Sequence, residues 1–128
     1  MNSRTLAVVG AALALSVTMT ATPALANDGD VIRRGSCSGA SDWKLKASPE
    51  DGRIEVEGEV DSNHNGQVWR WRLVHNGAVS ARGRATTRAP SGSFEVRLVV
   101  VDLEVADKIM FVAKHKKSGE VCRGRVTF

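Results

Sequence analysis

From residue 42 onward the chain alternates apolar and polar positions with a period of two, the pattern of half-buried β-strands. The sharpest case is Trp69-Arg70-Trp71-Arg72-Leu73-Val74-His75-Asn76-Gly77, where large apolar and charged residues take turns until Asn-Gly ends the run. Seven such runs are predicted, over 42–48, 53–60, 67–74, 78–87, 93–101, 108–115 and 121–128, and no helical period competes with them. Turn residues separate them, among them Pro49-Glu50-Asp51-Gly52 and Lys117-Ser118-Gly119-Glu120. The pattern predicts an all-β domain of about seven antiparallel strands in a small sandwich or barrel, with a meander order favoured and an immunoglobulin-like sandwich as the alternative.

Side-chain parity tests the register, because a slip of one residue turns every side chain to the wrong face. A two-residue Asn76-Gly77 turn would set Trp71 against Arg82 and bring arginine into the core. A three-residue loop over His75-Asn76-Gly77 instead sets Leu73 against Val79, Trp71 against Ala81 and Trp69 against Gly83, and is preferred. Four-residue loops elsewhere pair Lys46 with Glu55 and Lys44 with Glu57, then Glu55 with Arg72 and Glu57 with Arg70. Those charge pairs are what favour the meander.

Ahead of the strands, Arg4 is followed by an apolar run from Leu6 to Met19 and then by Ala24-Leu25-Ala26. This order is that of a secretory signal peptide over 1–26, too short and wrongly flanked for a membrane span. Residues 27–35 read as a flexible lead-in, in which Val31 and Ile32 are able to dock on the body, and 36–128 as a single β domain. Removing 26 residues from 128 leaves 102, enough for one core. The remaining chain has 17 Lys plus Arg against 14 Asp plus Glu, a mildly basic balance that permits an anionic partner without requiring one. Its two cysteines, Cys37 and Cys122, form an even pair in a secreted setting and are predicted to be disulfide-bonded.

Several segments together, Cys37 to Lys46, Trp69 to Gly77, Arg88 to Arg97 and Gly119 to Arg125, resemble small secreted single-disulfide β proteins of high-GC Gram-positive bacteria. The resemblance covers nearly the whole chain after the leader. It implies an extracytoplasmic location and an all-β fold, and it carries over no functional residue.

Catalytic and metal chemistry finds little footing. Asp61-Ser62-Asn63-His64-Asn65-Gly66 matches the first half of a calcium loop, but Arg72 stands where a bidentate glutamate is needed. His64, His75 and His115 fall in separate turns and strand ends and are not expected to converge. There is no G-x-S-x-G nucleophile elbow and no phosphate-binding glycine loop, and Glu55, Glu57 and Glu59 are expected to sit in solvated ion pairs. The chain is therefore read as a non-enzyme with no cofactor.

Two surfaces remain. Arg70, Arg72, Arg82 and Arg84 share one outer face by parity and form a candidate anion-binding face, with Arg123 and Arg125 on the last strand. Val99, Val101, Met110 and Val112 form a candidate partner patch, if Val99 pairs with Met110. The reading preferred is a non-catalytic secreted or cell-envelope binding protein, with an anionic wall polymer as its candidate ligand. A protein-binding module or inhibitor of a secreted enzyme comes second and a small hydrolase third. Nucleic acid is disfavoured, because the tryptophans read as core and not as stacking platforms.

Overall fold

The computed structural model describes residues 29–128; the leader read over 1–26 lies outside the described residues. Eight antiparallel strands form two four-stranded sheets: β1 (Val31–Ser36), β2 (Asp42–Glu50), β3 (Arg53–Asp61), β4 (Val68–His75), β5 (Ala78–Thr86), β6 (Ser93–Val101), β7 (Lys108–His115) and β8 (Val121–Thr127). One sheet runs β1-β2-β3-β6 and the other β5-β4-β7-β8. They stack as a sandwich, not a closed barrel. Among the described residues no helix is long and apolar enough to cross a membrane.

The core is the set of inward positions that the period-two pattern marks. Leu45, Ile54, Val56 and Val60 from the first sheet meet Trp69, Leu73, Ile109 and Phe111 from the second, all buried. Trp71 is half-buried and packs against this cluster, while Arg70 and Arg72 stand in solvent. Gly58 makes room for Phe111 across the sandwich. A Cβ built at Gly58 would lie 2.7 Å from the phenyl ring. Gly58→Ala is therefore expected to cost about 1–3 kcal/mol by overpacking, read as a lower urea midpoint with an unchanged m-value.

Three expectations are corrected. The first is the meander. The chain leaves the first sheet after β3 and enters the second at β4, so β3 and β4 never pair. With β2 as the first strand, β2-β3-β6 and β5-β4-β7-β8 follow the A-B-E and C′-C-F-G order of immunoglobulin-type sandwiches. Buried hydroxyls fix the crossing. Ser62 donates to the carbonyl of Gly92 (3.1 Å), Thr87 donates to the carbonyl of His64, and the Gln67 amide donates to the Thr87 hydroxyl (2.9 Å). Gly92 lies so close to the backbone at His64 that a Cβ would fall 2.3 Å from its nitrogen. Asp61, read as a possible calcium ligand, accepts a hydrogen bond from the Asn63 amide (3.1 Å) within this crossing.

The second correction concerns register. Lys46 faces Glu57 and Lys44 faces Glu59, two residues away from the expected pairs, because β2 continues to Glu50 and only Asp51-Gly52 turns. Glu55 and Glu57 do not reach Arg72 and Arg70 but pair with Arg97 on β6. The hairpin between β4 and β5 does use the two-residue Asn76-Gly77 turn, with φ of 46° and 84°. A bulge between Leu73 and Val74 then restores parity, giving Leu73 opposite Ala81, Trp71 opposite Gly83 and Trp69 opposite Ala85.

The third is the lead-in. Residues 31–35 of the segment expected to be flexible form β1 together with Ser36, pairing along β2 from Val31–Ala47 to Ser36–Asp42. Val31 packs on the core.

Cys37 and Cys122 are bonded, tying the β1–β2 connection to β8. Beside the bond, Glu120 accepts from both the amide (3.1 Å) and the hydroxyl (2.8 Å) of Ser41. Trp43 fills the same side of the sandwich, its ring lying against Gly35 of β1 and Gly124 of β8.

Candidate anion-binding face

The outward positions of β5-β4-β7-β8 line up in rows across the sheet. One row reads Arg84, Arg70, Lys114, Val121, and the next Arg82, Arg72, Val112, Arg123. A third reads Val79, Val74, Met110, Arg125. All six arginines and Lys114 are exposed. None of them forms a salt bridge among the described residues. With Lys108, the four strands carry eight basic residues and no Asp or Glu.

The other sheet is built differently. Its strands hold seven carboxylates against six basic residues, and seven of these thirteen take part in salt bridges. Lys44 meets Glu59 at 3.7 Å and Lys46 meets Asp30 at 3.4 Å. Arg97 gathers Glu55, Glu57 and Glu95. The hydrogen bond to Glu95, then the charges of Glu57 and Glu55, hold its guanidinium above its ordinary pKa. The carboxylates carried by strands are thus all in the opposite sheet.

Val112 points outward by alternation yet is only 5% exposed. Its cross-strand neighbours are Arg72 and Arg123. A shallow concavity runs over this region, bordered by Arg70, Trp71, Arg72, Val79, Arg82 and Lys114. Lys116 belongs to it as well and also borders an adjoining hollow shared with Lys117, His64 and His115.

The four arginines singled out from sequence are therefore one contiguous group, in the pairs Arg70–Arg84 and Arg72–Arg82. Arg123 and Arg125 join their face. Lys114 was not singled out, although its parity with Met110 and Val112 marked it as outward. The candidate partner patch does not hold together. β6 pairs with β3 and β7 with β4, so Val99 and Val101 lie on one outer face and Met110 and Val112 on the other. Val99 (38% exposed) and Val101 (57%) instead lead into the exposed Leu103 and Val105.

The histidines divide between the two ends of the sandwich. His75 lies 2.6 Å from Asp107 at one end. At the other, His115 stacks on Trp69 with ring centroids 5.1 Å apart and shares a hydrogen bond with Ser118 (2.6 Å), and His64 is exposed nearby. Compared with known proteins, the chain matches no family model, no curated relative and no solved structure.

Proposed function

We propose that the chain is a secreted, non-catalytic binding protein of the cell envelope that holds an anionic polymer on the outer face of β5-β4-β7-β8. One observation carries the reading: eight basic residues and no carboxylate on these four strands, against a nearly balanced opposite sheet. Like charges directly opposite each other destabilise a sheet. Arg70 beside Arg84 and Arg72 beside Arg82 are such pairs, with no acid to offset them. The other sheet also has like-charge neighbours, Asp42 opposite Asp61 and Glu59 opposite Glu95, but it carries both signs and sets Lys44 opposite Glu59, Lys46 opposite Glu57 and Arg97 opposite Glu57. The disulfide suits an oxidising compartment, and Arg97 engages both Glu55 and Glu57.

Binding to an immobilised polyanion should weaken linearly on a log–log plot against salt. With about five to seven charges neutralised at ~0.7 each, the slope is expected between about −3.5 and −5. A slope near zero would remove charge as the basis of recognition.

A further inference from the structure

We infer, on the basis of the anion-binding reading above, that the ligand is an aliphatic phosphodiester polymer, a polyol chain joined by phosphates, and that it crosses the strands from β5 towards Lys116. Three features of the face favour it over other polyanions.

The first is the spacing and kind of the cations. Arg84, Arg70 and Lys114 are consecutive in one row, and Arg82 and Arg72 in the next. Neighbours in a row stand ~4.8 Å apart, and rows about 7 Å apart along the strands. A polyol phosphate carries one charge on each flexible acyclic link, so successive phosphates can adjust to positions along a row or between rows. The rings of a uronic-acid glycan fix the spacing and direction of its carboxylates. The two free oxygens of a phosphodiester also diverge, so one phosphate can be shared by guanidiniums on adjacent strands, whereas both oxygens of a planar carboxylate are satisfied by a single fork.

The second is the floor between the charges. Val74, Val79, Met110, Val112 and Val121 are its uncharged positions in the three rows. Trp69 is buried and Trp43 lies against Gly35 and Gly124, while the half-buried Trp71 borders the concavity. Aliphatic carbons can lie on such a floor, which offers bases a single partly covered indole to stack on. The third is continuity. Lys116 borders both the basic concavity and the adjoining hollow with Lys117 and His64. Positive charge thus runs past the end of the sheet, which a long chain can use and a single small anion cannot.

The test ranks polyglycerol phosphate, polygalacturonate and oligo-dT of similar length by fluorescence anisotropy, with the processed protein at one ionic strength. Polyglycerol phosphate is expected to bind at least about tenfold tighter than either competitor, the value of one charged hydrogen-bonded fork. Arg70→Lys with Arg72→Lys keeps the charge and removes two forks. It should weaken phosphate binding by about tenfold and polygalacturonate binding by less than about twofold. Polygalacturonate equal or tighter would overturn the phosphate assignment and leave the anion reading standing. Oligo-dT as the tightest ligand would make nucleic acid the partner. Absence of binding to all three at low salt would end both readings. The ranking needs no variant, so it decides the matter even if the double substitution fails to fold.

Discussion

Replacing Cys37 and Cys122 together by alanine is expected to lower the unfolding free energy by about 4–5 kcal/mol. The bond closes a loop of 85 residues, nearly the whole described domain. In the chain-entropy account a loop of that length raises the cost of the unfolded state, not the quality of the folded one. The native contacts around the bond are independent of it. Ser38 and Val121 exchange two hydrogen bonds, the Ser38 amide donating to the Val121 carbonyl (2.8 Å) and the Val121 amide to the Ser38 hydroxyl (2.9 Å). Ser41 stays bound to Glu120, and Trp43 stays against Gly124. The variant should therefore keep the same fold at moderate temperature while losing a large part of the ~5–15 kcal/mol typical of a domain. Urea unfolding of the oxidised protein and the double variant measures the difference. A loss below about 1 kcal/mol would mean that the unfolded chain already holds these ends together.

Reversing charge at Arg70 and Arg72 should move binding and stability in opposite directions. Arg70→Glu with Arg72→Glu changes the face by four charge units at its centre. At ~1 kcal/mol per close pair in water, polyanion affinity is expected to fall by about a hundredfold to a thousandfold at low salt. The same substitutions place Glu opposite Arg84 and Arg82, turning two like-charge pairs into two attractive ones. Folding stability should then hold or rise by ~0.2–1 kcal/mol for each pair. Anisotropy with a polyanion and thermal unfolding report the two effects separately. A double variant that binds as before would show that the face is ordinary solvated surface.

The positions buried along each strand were legible in the sequence, and the assignment of strands to sheets was not. Parity alone placed Trp69 and Leu73 in the core and left their arginine neighbours outside, because a period of two leaves only one face to bury. It survived even where the register was misjudged. At the β4–β5 hairpin the bulge between Leu73 and Val74 absorbs one residue, so a two-residue turn reaches the parity that a three-residue loop seemed to need. Charge pairing misled because it is cheap and repetitive. Glu55, Glu57 and Glu59 offer the same pattern to any basic strand, and the partner of Glu55 and Glu57 on the far side proved to be Arg97 on β6, not Arg70 or Arg72 on β4. The crossing from β3 to β4 depends on Ser62 and Thr87, small polar residues whose burial no local pattern announces. Once β6 and β7 part company the valine patch must split. The arginine face endures because β4 and β5 do form a hairpin.

The unequal sharing of charge between the sheets, eight basic residues and no acid on one set of strands and near balance on the other, also gives the molecule a permanent electric moment across its thin dimension. A negatively charged surface would exert a torque on it before contact, so that molecules arrive already turned the same way. Once seated, each would present the near-balanced sheet outward, where a second polyanion is held less strongly. Such a protein would favour coating a surface as a single oriented layer over cross-linking one strand of polymer to another.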